Sequence, residues 1–163
     1  GSDAIYIKTR IGRAGVIENI SGDDLEVQKG GGGFLRINLI SSGNASTPDD
    51  TVAGDIGYPI GRNFSFSNVK VDCKSLVDAT KVSPLKPLIG LSLTNITGNC
   101  QSGIALANIQ DAALSGINVT GYSGPLLATD NVTGTGLDGA VKYVPPPSAA
   151  RRERAATGPG PGI

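Results

Sequence analysis

Residues 91–97 read Leu91-Ser92-Leu93-Thr94-Asn95-Ile96-Thr97. Apolar and small polar side chains alternate, the pattern of a strand with one face buried. The last three return as Asn118-Val119-Thr120, and Asn108-Ile109 returns as Asn131-Val132, each 23 residues on. Helical solenoids repeat at roughly 33 to 47 residues. A shorter period, built of strands with no helix between them, predicts an all-β chain wound as a parallel β-helix. Each coil stacks on the next about 4.8 Å away, like residue above like.

The two cysteines bear on the register. Cys73 lies five residues after Asn68 and Cys100 five after Asn95, so equivalent asparagines would stack the cysteines. One coil of separation lies inside the Cα range a disulfide tolerates, roughly 4.4 to 6.8 Å. A cross-coil disulfide and two buried thiols are both compatible with the sequence. Either one implies a longer coil of 27 residues from Asn68 to Asn95, with the extra length in the Ser83-Pro84-Leu85-Lys86-Pro87 turn.

Composition agrees. The 163 residues make one domain, and the chain has no tryptophan, methionine or histidine. With 4 tyrosines and 3 phenylalanines as its only aromatics, the interior is expected to be Ile, Leu, Val and Ala. A formal net charge of zero gives no electrostatic footprint for nucleic acid or an anionic membrane surface. No apolar run approaches the length of a membrane span, and no signal peptide opens the sequence.

Along the chain, strand patterns occupy Ile5–Lys8, Gly15–Ile20, Leu25–Val27 and Phe34–Ile37, broken by glycines 30–33. Residues 41–62 are polar and punctuated by glycine and proline, which predicts a loop projecting from the solenoid. Strands resume over 63–82, and 88–143 are regular coils. The coils are expected over 1–144. The Pro/Gly/Arg-rich residues 145–163 have little to bury and are expected to be disordered. Gly30–Gly33 lacks the lysine and following helix of a phosphate loop, and no cofactor or metal set is evident.

Ile5-Tyr6-Ile7-Lys8-Thr9-Arg10, followed by Gly12-Arg13-Ala14-Gly15-Val16-Ile17-Glu18-Asn19-Ile20, resembles a segment of glycoside hydrolase family 28. This family holds the polygalacturonases and related pectin-degrading enzymes, which are right-handed single-stranded parallel β-helices. In them an Arg-Ile-Lys-Thr strand precedes a glycine-rich turn and a Val-x-Asn-Ile strand. The likeness runs more loosely to about residue 143 and covers only the C-terminal half of such an enzyme, so it implies a β-helix truncated at its N-terminal side. It further implies a secreted or periplasmic location, a pectic, uronate-containing polysaccharide as partner, and a monomeric parent.

The chemistry behind the motif is clear. Alternate strand residues share a face, so two cations in x-Ile-x spacing project together toward a sugar carboxylate. The resemblance places Lys8, Tyr6 and Arg10 at the substrate. Tyr6 stands where the family has arginine, and a phenol cannot make a bidentate ion pair. That substitution leaves room for another pectic or side-chain sugar.

Hydrolysis with inversion needs two carboxylates roughly 6.5 to 9.5 Å apart. The family supplies them, with a histidine, from strands upstream of the lysine strand. This chain has no histidine. Gly22-Asp23-Asp24-Leu25-Glu26-Val27-Gln28-Lys29 mimics the family's Gly-Asp-Asp-x-x-x-x-Lys spacing but follows the Lys8 strand, so Asp23 and Asp24 are the candidates of last resort. The expectation is a substrate-binding wall without catalytic carboxylates, inactive alone. The rival is a non-catalytic β-helix module for glycan binding or surface adhesion. Asn-x-Ser/Thr sequons occur at Asn19, Asn44, Asn63, Asn95, Asn118 and Asn131. Four of them coincide with the repeat's Asn-Ile/Val step, where asparagine stacking at coil turns explains them better than glycosylation; on exposure grounds only Asn44, in the loop, is expected to be an acceptor.

Overall fold

The computed structural model describes residues 3–28, 31–42 and 51–146. Within them run seven strands: β1 (Ile5–Lys8), β2 (Val16–Val27), β3 (Leu35–Asn38), β4 (Ile60–Lys81), β5 (Leu88–Thr120), β6 (Leu127–Thr135) and β7 (Val141–Lys142). Helix among the described residues is one 3-10 turn at Asp55–Gly57. The strands form one parallel sheet in the order β1-β3-β4-β5-β6-β7, with β2 against β4. The expected all-β character therefore holds. Same-direction pairing between residues 44, 27 and 23 apart is compatible with a solenoid.

β4 and β5 span 22 and 33 residues, far beyond the usual 5–6 or so. They bend without leaving the ladder. Single left-handed residues punctuate them: Asn63 and Asn68 in β4, and Gly90, Asn95, Asn108, Asp111 and Gly116 in β5. Asparagine and aspartate tolerate that conformation because their short polar side chains bond locally. Asparagines also bond between passes of the chain. The Nδ2 of Asn63 donates to Asn19 Oδ1 at 2.7 Å, Asn95 to Asn68 at 2.7 Å and Asn131 to Asn108 at 2.9 Å. Stacking thus accounts for the sequon asparagines 19, 63, 95 and 131; Asn44 lies outside the described residues.

The register bears out part of the repeat and corrects the rest. Cys73 pairs with Cys100 and Ile109 with Val132. Asn118, however, does not lie over Asn95. A Cβ built on Gly116 would lie 3.3 Å from the Asn95 Cα and N, much as one on Gly90 would lie 3.6 and 3.5 Å from those of Asn63. Gly90 and Asn63 are ladder neighbours, since Arg62 pairs with Ile89 and Phe64 with Leu91. Gly116 therefore takes the left-handed corner (φ 63) above Asn95. The likeness of the two Asn-x-Thr triplets is out of step with the ladder.

The core runs along the inward side chains: Leu35, Ile37, Leu76, Leu88, Leu91, Leu93, Ile96 and Leu106 are all fully buried. The interior is not purely aliphatic. All three phenylalanines, Phe34, Phe64 and Phe66, are buried to 1% exposure or less. Phe34 and Phe66 meet edge-to-face at 6.0 Å, worth about 0.5–1.5 kcal/mol beyond area burial. Cys73 and Cys100 are buried free thiols. Burial pushes the Cys73 thiol up to about 11 and raises Cys100 as well.

The excursion over 41–62 ends earlier than expected, because Ile60-Gly61-Arg62 already belong to β4. Its described part does not project freely. Val52 N donates to Gly12 O, Gly12 N and Ala14 N both donate to Gly57 O, and Ile60 N donates to Gly15 O. These bonds fasten 51–60 to the turn after β1. Residues 43–50 and the tail from 147 onward lie outside the described residues.

Candidate functional site

β1 turns Ile7 inward and leaves Lys8 exposed and Tyr6 half-buried on the opposite face. β3 lies beside it in register, Tyr6 against Arg36 and Lys8 against Asn38. The pairing brings a second cation to the tyrosine. Arg36 Cζ lies 4.8 Å from the Tyr6 ring centroid and Lys8 Nζ 5.3 Å. Each contact is worth about 0.5–1 kcal/mol at an exposed site. Together they hold two cations against one ring.

The loop after β3 completes the cluster. Asn38 is buried, and its Oδ1 accepts from Ile40 N at 3.2 Å and Ser41 N at 3.0 Å. That turn, with Ser42 N donating to Thr9 O, carries Ser42 to the Tyr6 hydroxyl, which donates to Ser42 Oγ at 3.5 Å. The Ser42 bond holds the Tyr6 phenol below its ordinary pKa; burial opposes this, and Asn38, Arg36 and Lys8 add to it. Two cations thus lie against the phenol ring, with Asp78 one ladder step beyond Arg36.

Arg36 is the residue the sequence reading passed over. It supplies a guanidinium beside Tyr6, where β1 itself has none. The signal was present: Leu35-Arg36-Ile37-Asn38 repeats the apolar-polar alternation of Ile5-Tyr6-Ile7-Lys8.

Arg10 lies elsewhere. β1 ends at Lys8, and Arg10 turns under the excursion in an antiparallel bridge to Ser41, with 7% exposure. Its Nη1 donates to Ile11 O at 3.3 Å, and its Nε has no partner among the described residues. Strand alternation would have put it beside Lys8 only if the strand had continued.

Asp23 and Asp24 sit at an exposed corner of β2, with Asp24 left-handed at φ 55. Asp23 Oδ1 accepts from Ser67 Oγ at 2.8 Å and Asn68 Nδ2 at 2.9 Å. Those bonds, Ser67 first, hold its carboxyl below the usual range. A general acid needs the opposite shift, so this geometry suits a corner brace. Among the described residues no three His, Cys, Asp or Glu gather as a metal-ligand set. No described helix is long and apolar enough to cross a membrane.

Comparison with protein-family models, curated proteins and solved structures found no match.

Proposed function

We propose that this chain is a right-handed parallel β-helix that forms the substrate-binding wall of a secreted, polygalacturonase-like glycoside hydrolase acting on pectic polysaccharide, without the catalytic carboxylates. The observation that carries the reading is the Tyr6–Arg36–Lys8 cluster, two cations held against one ring on a single sheet face. A guanidinium fork matches a carboxylate in a way an isolated ammonium does not. Arg36 then does from the neighbouring strand what the family's arginine does from the position of Tyr6. The winding is supported by parallel pairing at successive passes; a crystal structure with antiparallel pairing between β4 and β5 would remove it.

The binding half is tested by calorimetric titration with digalacturonate at low salt. Binding is expected to weaken roughly tenfold in Arg36→Ala, the loss of about 1.4 kcal/mol of charge-assisted hydrogen bonding. Arg10→Ala is expected to leave the affinity unchanged. An Arg36→Ala variant that binds as well as the parent chain refutes the assignment.

A further inference from the structure

The sheet face that carries Tyr6 and Arg36 continues past them. Arg36 pairs with Asp78, Asp78 with Ala105, and Ala105 with Ala128. Beside the last three opens a cavity of about 410 Å³, whose lining includes Asp78, Ser102, Ala105, Ser123, Ala128 and Tyr143. Tyr143 is tied in place by its backbone N–H, which donates to Thr129 O at 2.9 Å. Asp78 is held too: its Oδ1 accepts from Thr80 Oγ1 at 2.7 Å and Thr80 N at 3.3 Å.

The lining has a consistent chemistry. Two alanines leave a flat floor with no side chain beyond a methyl. An aromatic ring supplies a wall on which an apolar face packs. A carboxylate and serine hydroxyls supply acceptors and donors for hydroxyl groups. Among the described residues no lysine or arginine lines the cavity, and the one formal charge there is negative. A carboxylate ligand would be repelled here, whereas a polyhydroxylated neutral ring finds partners for both its faces and its hydroxyls.

We infer that this cavity is a subsite for an uncharged sugar unit, set in line with the acidic-sugar anchor at Tyr6 and Arg36. The inference rests on the reading of that anchor given above. Asp78 is one ladder step from Arg36 and two from Tyr6, about 5 and 10 Å at the spacing of parallel strands, so adjacent units of one short oligosaccharide reach both. The preferred ligand therefore carries a uronate at one end and neutral units at the other, and a run of consecutive uronates is disfavoured by Asp78.

Four probes decide it with the intact chain: digalacturonate, a longer homogalacturonate, a neutral galactose oligosaccharide, and a mixed oligosaccharide with one uronate followed by neutral hexoses. The mixed probe is expected to bind several-fold more tightly than digalacturonate. Tyr143→Ala is expected to weaken the mixed and neutral probes roughly fivefold, the size of one lost aromatic packing contact, and to leave digalacturonate untouched. Asp78→Asn keeps an acceptor for Thr80 and is expected to improve binding of a longer homogalacturonate. If Tyr143→Ala and Asp78→Asn change none of these affinities while Arg36→Ala weakens digalacturonate, the subsite is refuted and the anchor stands. If the neutral probe responds to Tyr143→Ala while digalacturonate ignores Arg36→Ala, the anchor fails and the subsite as one half of a mixed-ligand site fails with it.

Discussion

Replacing Asn68 separates the two things an asparagine does at a corner. Asn68 is left-handed at φ 54. Its Nδ2 donates to Asp23 Oδ1 at 2.9 Å, and its Oδ1 accepts from Asn95 Nδ2 at 2.7 Å. Alanine loses both bonds, about 0.5 kcal/mol each at an exposed position, and adds about 1–2 kcal/mol of left-handed strain. The total is about 2–3 kcal/mol. Glycine loses the same bonds without the strain but adds about 0.5–1 kcal/mol of unfolded-chain entropy, for about 1.5–2 kcal/mol. In an ordinary strand glycine is the worse residue; here the ranking is expected to invert. Urea denaturation followed by circular dichroism reads it as midpoints in the order Asn68, Asn68→Gly, Asn68→Ala. An alanine variant as stable as the glycine variant would refute both the corner conformation and the bookkeeping. Asp23 adds a pH arm. Its folded pKa is depressed, so its contribution is present above the unfolded carboxyl pKa and is lost as pH falls through the lower folded value. Either substitution at Asn68 is expected to flatten that acid limb.

Two further outcomes follow from packing. A Cβ on Gly98, which has φ 124, would collide with Val71 O, so Gly98→Ala is expected to abolish cooperative unfolding or to lower the thermal midpoint sharply; a near-normal midpoint would refute the close approach. Cys73 and Cys100 are buried, and burial pushes the Cys73 thiol up to about 11. At pH 8 a disulfide reagent is expected to label neither in the folded chain and both in denaturant, unlike solvent-exposed thiols; rapid labelling of the native chain would count against their burial.

Strand existence was legible because alternation is local: Leu91 to Ile96 needs no partner to read as half-buried. The pairing of Cys73 with Cys100 was legible because neither β4 nor β5 changes its offset between Asn68 and Cys73. The Asn118 register was not, since a left-handed corner accepts glycine as readily as asparagine. Gly116 takes the corner that the 23-residue repeat assigns to Asn118. Burial of the three phenylalanines was missed because few aromatics were read as none in the interior. At the site, Lys8 and Tyr6 were read correctly as neighbours on one face. Arg36 belongs to another strand, and its approach depends on a 30-residue interval, Ile5 to Leu35, that no motif announces. Arg10 lies apart from Lys8 because the chain leaves β1 after Lys8 and bridges to Ser41, a contact 31 positions away in sequence.

The unequal intervals between ladder partners, 44 then 27 then 23 residues, have an evolutionary corollary. Added length is taken up at the bends, and closing a longer loop costs only about 0.6 kcal/mol per doubling. Peptide spliced in near Ser83–Pro87 can therefore vary without disturbing the ladder, whereas the excursion before Ile60 is fastened to Gly12, Ala14 and Gly15 and varies only where those bonds are kept. Such a scaffold can acquire a new selectivity by exchanging its bends one at a time, each trial leaving the remainder of the molecule intact.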